Sequence, residues 1–226
     1  MNFKAVLFDL DGTLLDTLED IAEAANIVLA EYRFPPHNTD DYRTFVGEGV
    51  TMLMTRALPS HHKDTATIEA LSKAFRETYE AHWNKKTKPY PGVPGMLDEL
   101  TSRALPLAVL SNKPDDFTKR CVAELLPRWT FQVVQGACSD IPPKPDPTGA
   151  RNIAATLAIP AAHILYLGDT GTDMETAVRG GMFPVGALWG FRAREELLSH
   201  GAQVLIEHPQ ELLTLLTPGG DVDETP

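Results

Sequence analysis

Four aspartates stand where two apolar runs of the sequence end, and their carboxylates could do chemistry together. Asp9 and Asp11 follow the first run, and Asp169 and Asp173 follow the second. Taken alone, the first pair fits a turn after a strand, and the second fits the capped start of a helix. Four acids at two strand ends would repel one another unless a cation lay between them. Because all these ligands are oxygens, with no His or Cys cluster, we expect Mg²⁺ rather than Zn²⁺.

Neutral polar residues and a lysine, rather than acids, lie in two further segments. Ser111 and Asn112 end an apolar run before a predicted helix, where a hydroxyl and an amide suit a phosphate oxygen. Lys144 lies in the stretch PPKPDP, whose prolines leave the backbone little freedom. A single loop lysine is usually a solvated charge, but a site with four carboxylates and a phosphate would need a fixed cation. These residue types together indicate phosphate chemistry.

Five short apolar runs predict the strands that position these groups. Their apolar character is nearly continuous, which is typical of a parallel sheet covered on both faces. Amphipathic stretches separate the later runs, so strand and helix alternate from about residue 89 onward. We predict an α/β fold with a doubly wound parallel sheet, whose strands are Ala5–Phe8, Leu105–Leu110, Phe131–Val134, Ile164–Leu167 and Phe183–Leu188.

Residues 17–87 break this alternation, because they contain helical periodicity and almost no strand signal. Apolar residues recur at helical spacing from Leu18 and again from Ile68. The stretch that follows, KPYPGVPG, has the proline and glycine content of a linker. We predict a core domain of residues 1–16 and 88–217, an inserted α-helical cap of residues 17–87, and a flexible acidic tail of residues 218–226.

Three residues of the helical insert are candidate substrate contacts beside Ser111, Asn112 and Lys144. Gly47 and Gly49 flank the start of an apolar helical run, where free N–H groups could bind a carboxylate. An ordinary turn between helices accounts for them at least as well. Arg56 could steer an acidic substrate, although a solvated helix face is the commoner position for such a residue.

The composition excludes several classes of partner. The 226 residues carry 20 Lys and Arg against 31 Asp and Glu, a formal net charge of −11, and no basic block. A nucleic-acid backbone and an anionic membrane surface are therefore not expected partners. No apolar run reaches the roughly 18 residues of a membrane span, and the first run is too short for a signal peptide. Two isolated cysteines fit a reducing compartment, so we expect a cytoplasmic protein.

Four motifs follow one another along the chain: DLDGT from Asp9, Ser111, Lys144, and GDTGTD ending at Asp173. In type, order and spacing they resemble the motifs of the haloacid dehalogenase-like superfamily of phosphotransferases. The helical insert resembles that family's cap of the first type. The stretches VGEG and MTRAL in the insert and LWGFR near the C-terminus resemble bacterial phosphoglycolate phosphatases.

The resemblance implies roles for these residues. Asp9 would attack phosphorus and become an aspartyl-phosphate, and Asp11 would protonate the leaving oxygen and then activate water. Ser111 and Lys144 would hold the phosphoryl oxygens. The metal ligands would be Asp9, the backbone carbonyl of Asp11, Asp169 and, directly or through water, Asp173.

It also implies a Mg²⁺-dependent phosphoric monoester hydrolase that acts on a small phosphorylated metabolite, with 2-phosphoglycolate as the expected substrate. Another phosphatase with the same core remains an alternative, acting on a sugar phosphate, a nucleotide or pyrophosphate, as does a phosphosugar mutase. A non-enzymatic phosphate-binding protein is a third interpretation. The acid at Asp11 favours turnover by water, because family members that transport ions have Thr there. The sequence is compatible with a monomer or a homodimer.

Overall fold

A computed structural model describes residues 2–216, and a sheet of six strands forms its centre. A separate two-stranded sheet joins two connecting segments. In chain order the strands are β1 (Ala5–Phe8), β2 (Leu15–Asp16), β3 (Lys88–Pro89), β4 (Leu107–Pro114), β5 (Val133–Ala137), β6 (Ile164–Gly168), β7 (Phe183–Ala187) and β8 (Val204–Ile206). The tail predicted for residues 218–226 lies outside the described residues.

The large sheet has the order β5–β4–β1–β6–β7–β8, and each neighbouring pair is parallel. The side chains of β1 alternate between two apolar clusters, since Val6 and Phe8 join one and Ala5 and Leu7 join the other. Both faces of the sheet are therefore covered, which is why β1 is a continuous apolar run. The predicted α/β fold with a doubly wound parallel sheet is confirmed.

Helices cover this sheet and fill the segment between β2 and β3. Within the described residues the α-helices are α1 (Leu18–Glu31), α2 (Tyr42–Phe45), α3 (Val50–Ala57), α4 (Thr65–Glu80), α5 (Val93–Ser102), α6 (Asp115–Leu125), α7 (Thr148–Leu157), α8 (Gly171–Gly180), α9 (Arg194–Ser199) and α10 (Leu212–Leu215). Single 3₁₀ turns lie at Thr39–Asp41, Ser60–His62, Ala161–His163 and Pro209–Glu211. No helix of residues 2–216 is both long and apolar enough to cross a bilayer.

Several strands differ from the prediction: β5 spans Val133–Ala137 rather than Phe131–Val134, and β2 and β3 were not predicted. β4 begins at Leu107 rather than Leu105 and continues to Pro114, so Ser111 and Asn112 belong to the strand and not to the start of α6. β8 was not expected, because its three residues, VLI, are too few for an apolar run to stand out in the sequence.

The helices α1 to α4, called the helical layer below, form where the sequence has helical periodicity. α1 begins at Leu18 and buries the apolar side of its 14 residues. α4 begins after Asp64, whose carboxylate caps the helix by accepting the N–H of Thr67 at 2.9 Å. α1 and α4 pack on each other, and their apolar faces share one core cluster with β1. Burial of these faces holds the helical layer against the sheet.

Two short strands, β2 and β3, connect the helical layer to the sheet, and they pair antiparallel with Leu15 opposite Pro89. Beside them lies the carboxylate of Asp20, which is 1% exposed. Its Oδ2 accepts hydrogen bonds from Lys86 N at 2.9 Å, Thr87 N at 2.8 Å and Thr87 Oγ1 at 2.7 Å. One buried side chain at the start of α1 therefore holds the segment through which the chain leaves the helical layer.

Replacing Asp20 with alanine is expected to lower the free energy of unfolding by about 3 kcal/mol, because two backbone N–H groups and a hydroxyl lose their acceptor inside the protein. For a chain of this length the midpoint of thermal unfolding should fall by about 6 to 12 °C. Glu23→Ala is the matched control, since Glu23 also contacts Lys86 but does so at the surface, at 3.2 Å from Nζ. Its effect should stay below about 1 kcal/mol. Equal midpoints for the two variants in a thermal melt would contradict the anchoring role of Asp20.

Candidate active site

Polar side chains converge at the edge of the sheet where β1, β4 and β6 end. Asp9 follows β1, Ser111 lies near the end of β4, and Asp169 follows β6. Because β1 lies between β4 and β6, these ends are neighbours although they are far apart in the sequence. Asp173, in the first turn of α8, reaches the same place. Carboxylate oxygens of Asp9, Asp169 and Asp173 lie within 4.8 Å of one another.

Lys144 lies among these acids. Its Nζ donates to Asp9 Oδ1 at 2.7 Å and to Asp173 Oδ1 at 2.6 Å, and its side chain is only 4% exposed. Burial alone would lower the pKa of the ammonium, but the attraction of Asp173 and Asp9 outweighs burial and raises that pKa well above its usual value. The side chain of Lys144 is therefore a fixed cation rather than a solvated one.

Asp169 is held by groups from two loops. The hydroxyl of Thr13 donates to Oδ1 at 3.0 Å, and the backbone N–H of Phe191 donates to Oδ2 at 2.7 Å. Gly190 packs so closely that a Cβ there would lie 2.3 Å from the Cβ of Asp169, so only glycine fits. Burial and then the charge of Asp173 raise the pKa of Asp169 to about 7, against the two hydrogen bonds.

The carboxylate of Asp173 contacts both the start of α8 and the ammonium of Lys144. Its Oδ2 accepts hydrogen bonds from the backbone N–H of Thr170 at 3.1 Å and from the Thr170 hydroxyl at 2.6 Å, completing a capping box at the start of α8. Its Oδ1 faces Lys144 and the hydroxyl of Tyr166. The helix-cap interpretation of this residue is correct, and it does not exclude the role in the acidic cluster.

The donor set of the cluster fits a divalent cation. Three carboxylates face a single ammonium, which leaves an excess of negative charge in a buried place. Burial, and then repulsion by Asp173, raise the pKa of Asp9, which means that its charged form is not fully compensated by Lys144. A hard divalent ion with oxygen ligands would supply the missing positive charge. Asp9, Asp169 and Asp173 are the residues that could hold it.

The carboxylate of Asp11 does not join this cluster. Its two oxygens accept hydrogen bonds from the Nζ of Lys113 at 2.9 and 3.0 Å. The third hydrogen bond of that ammonium goes to the hydroxyl of Tyr79 in α4, at 3.2 Å, and the rings of Tyr79 and Phe117 lie against it. Burial opposes the charge of Lys113, but Asp11 outweighs it and raises the pKa of Lys113. Lys113 thus fixes the orientation of Asp11 and links it to the helical layer.

The two polar residues at the end of β4 have different contacts. Ser111 is buried and, like Asp9, lines a cavity at this edge of the sheet, with its Oγ accepting the N–H of Lys113 at 3.2 Å. The side-chain amide of Asn112 donates to the carbonyls of Gly47 and Lys144, both at 3.1 Å, and accepts the N–H of Lys144 at 2.8 Å. Both donors of Asn112 are engaged by carbonyls, and the expectation that this side chain holds a phosphate oxygen stays a prediction.

Of the three candidate substrate contacts in the helical layer, two line the cavity and one does not. Gly47 and Gly49, with φ of 117° and 84°, line the cavity. The expectation that their N–H groups bind an anion stays a prediction. Arg56 does not line the cavity, and its guanidinium pairs with Glu48 and donates to the carbonyl of Phe45. The expectation that Arg56 steers an acidic substrate stays a prediction.

The arrangement has counterparts in known proteins. The family model for haloacid dehalogenase-like hydrolases matches residues 6–187, which include all four motifs. The chain belongs to this family. The sequence-based recognition of the superfamily is therefore confirmed, as is the prediction that the chain is a hydrolase of the phosphatase kind.

Relatives of this hydrolase carry the names of phosphatases. A phosphoglycolate phosphatase of Xylella fastidiosa is 33% identical over 92% of this chain and 91% of its own length. An N-acetylmuramic acid 6-phosphate phosphatase of Pseudomonas aeruginosa is 30% identical over 96% of both chains. A crystal structure from Lactobacillus delbrueckii, provisionally described as a phosphoglycolate phosphatase, has a TM-score of 0.91 and 28% identity, covering 97% of this chain and 100% of its own.

In this member of the family, the loop LWGFR supports the acidic cluster and the helical layer together. Phe191 holds Asp169, as described above, while the guanidinium of Arg192 donates to the carbonyls of Arg43 and Val46. In the sequence this loop indicated only a resemblance to phosphoglycolate phosphatases, and its contacts were not predicted. The contacts of Lys113 were not predicted either, and the one available signal for them was its place directly after Ser111 and Asn112.

Proposed function

We propose that this hydrolase is a Mg²⁺-dependent phosphatase that cleaves small organic phosphate monoesters through an aspartyl-phosphate at Asp9. The observation that carries the proposal is the position of the Asp9 carboxylate. It faces the cavity beside a fixed ammonium, Lys144, and beside two further acids. A carboxylate in this setting can attack phosphorus, while the cations offset the charge of the phosphoryl oxygens.

In the first step a carboxylate oxygen of Asp9 would form a bond to phosphorus in line with the breaking bond to the leaving oxygen. Asp11, which must take up a proton from solvent or keep the one gained in the preceding turnover, would give that proton to the leaving oxygen, so the product leaves as an alcohol. In the second step Asp11 would take a proton from water, whose oxygen attacks phosphorus and releases Asp9 and inorganic phosphate. The hydrogen bonds from Lys113 keep the Asp11 carboxylate in one orientation.

Several groups would position the phosphoryl group and the metal ion. Ser111, which lines the cavity, and Lys144, which contacts Asp9, would hold phosphoryl oxygens. Mg²⁺, when bound, would neutralise charge that develops on the phosphoryl group. The residues that would hold it are Asp9, the backbone carbonyl of Asp11, Asp169 and Asp173.

We also propose that residues 17–87 act as a cap on a core of residues 1–16 and 88–217. Within residues 2–216 the chain passes between these parts at the paired strands β2 and β3, and Tyr79 and the loop LWGFR contribute contacts across their boundary. A cap in this position would exclude water from the phosphoryl group and contact the leaving group.

Two substrates are supported by the names of the relatives. The first is 2-phosphoglycolate, after which several relatives at about 30% identity are named. The second is a sugar phosphate, after which the relative from Pseudomonas aeruginosa is named. A cytoplasmic location is part of the proposal, since Cys121 and Cys138 are both free thiols.

Release of inorganic phosphate tests the proposed function. Purified protein is incubated with p-nitrophenyl phosphate, 2-phosphoglycolate and glucose 6-phosphate in the presence of Mg²⁺, of EDTA, or of EDTA followed by excess Mg²⁺. We expect turnover with Mg²⁺, a loss of at least about 100-fold with EDTA, and recovery on adding Mg²⁺ back, because an uncompensated acidic cluster binds the phosphate dianion poorly. Turnover that EDTA does not change would contradict the metal requirement. No release from any ester would favour a phosphate-binding protein.

A further inference from the structure

A cavity of about 190 Å³ opens over Asp9 between the helical layer and the edge of the sheet. Since one water needs about 10 to 15 Å³ on this measure, the cavity holds roughly a dozen water-sized groups. The phosphoryl group, methylene and carboxylate of 2-phosphoglycolate would already take up most of this space. The size of the cavity therefore does not separate glycolate from other leaving groups of similar size, and its lining has to do so.

Much of the lining of this cavity is apolar. The polar groups that would meet the phosphoryl group, Asp9 and Ser111, lie at the edge of the sheet and are called the floor below. Apolar side chains that line the same cavity, called the walls below, come from α1, α3, α4 and α6 and from the chain just before α3. They are Ile21, Val46, Val50, Leu53, Phe75 and Phe117. A leaving group that extends from the floor therefore meets hydrocarbon.

The charges around the cavity do not suit an anionic leaving group. Among the described residues that line the cavity, the cations are Lys113 and Arg76. All three hydrogen bonds of Lys113 are used by Asp11 and Tyr79. Arg76 lies on the exposed side of α4, and two acids, Glu80 and Asp116, line the same cavity. A carboxylate on the leaving group would lose water without gaining a buried cation.

We infer that the preferred substrate is a phosphate monoester whose leaving group carries an uncharged apolar portion, which packs against Val50, Leu53 and Phe75. This inference rests on the proposed phosphatase function and narrows its substrate class. The inference predicts a higher kcat/KM for such esters than for 2-phosphoglycolate. Each methylene that moves from water into the cavity should raise kcat/KM about fourfold until the walls are covered.

A series of alkyl phosphates tests this ranking, because methyl, propyl, butyl and hexyl phosphate differ in apolar length and hardly in the reactivity of the ester. Release of inorganic phosphate is measured with Mg²⁺ for each ester and for 2-phosphoglycolate. We expect kcat/KM to rise along the series and to be higher for butyl phosphate than for 2-phosphoglycolate. A flat series, or 2-phosphoglycolate ahead of all alkyl esters, would overturn the inference while leaving the phosphatase function intact. No release from any ester would overturn both.

A pair of variants in α3 tests the wall itself. Val50→Phe fills part of the cavity, whereas Thr51→Phe adds the same side chain at the neighbouring exposed position. We expect Val50→Phe to lower the ratio of kcat/KM for hexyl phosphate to that for methyl phosphate at least about tenfold, and Thr51→Phe to keep the ratio of the unchanged protein. Because the ratio compares two substrates on one protein, a loss of folded protein does not alter it. An unchanged ratio in Val50→Phe would refute the role of the wall.

Discussion

Asp9→Asn is expected to reduce the release of inorganic phosphate by about 10⁴-fold or more, because an amide oxygen does not form the aspartyl-phosphate. The substitution keeps the shape of the side chain, and Lys144 keeps its second partner, Asp173, at 2.6 Å. The fold should therefore persist, with a thermal midpoint within about 3 °C of the unchanged protein. Initial rates on p-nitrophenyl phosphate and a thermal melt measure the two quantities. A variant that keeps its fold and more than about 1% of the activity would exclude Asp9 as the nucleophile.

Asp11→Asn is the matched comparison, since it leaves the nucleophile in place and removes the proton donor and acceptor. We expect a slower enzyme, by about 10² to 10⁴-fold, that accumulates the phosphoenzyme because water is no longer activated. Acid quenching after incubation with ³²P-labelled substrate should therefore find label on the Asp11 variant and none on the Asp9 variant. Label on both proteins would place the phosphoryl group on another residue.

Lys144→Met is expected to cost both activity and stability, because it leaves buried carboxylates without their cation. Removing one partner of a buried pair typically costs about 3 to 5 kcal/mol, and here Asp9 and Asp173 both lose the ammonium. In metal-free buffer the thermal midpoint should fall by about 6 to 20 °C. Mg²⁺ should restore part of this loss, since it brings positive charge to the same carboxylates.

The control for this variant is Lys119→Met in α6. Lys119 also pairs with an aspartate, Asp115 at 2.6 Å, but its side chain is 58% exposed. A pair in solvent contributes at most about 1 kcal/mol, and the activity should not change. If Lys144→Met melts at the temperature of Lys119→Met in metal-free buffer, the acidic cluster does not depend on a fixed cation.

The correct parts of the sequence interpretation depend on local patterns. β1 and β6 are continuous apolar runs because both of their faces are buried, and this pattern is readable without a partner strand. The same holds for α4, whose apolar residues recur at helical spacing from Ile68, which is a local property. The position of Asp9 and Asp169 directly after such strands placed both at one edge of the sheet, because parallel strands end together.

The sequence did not reveal which partners the polar side chains have in the folded chain. Arg56 has the charge of a substrate ligand, but Glu48 and a backbone carbonyl engage it in the folded chain. Asn112 has the right chemistry for a phosphate oxygen, yet its donors are used by Gly47 and Lys144. The partner that a donor or a charged group engages depends on which groups lie beside it in the folded chain. Residue type alone does not show which partner that is.

The sequence by itself determined the fold class, the order of the four motifs and the acids that would hold a metal ion, because apolar periodicity and strand-end position are local and regular. The tertiary structure decided which partners those acids have. It brought Lys144 between Asp9 and Asp173, bound Asp11 to Lys113, and enclosed the site with apolar walls. These contacts depend on packing between distant segments, and packing sets both the charge balance of the site and the shape of the cavity that selects the substrate.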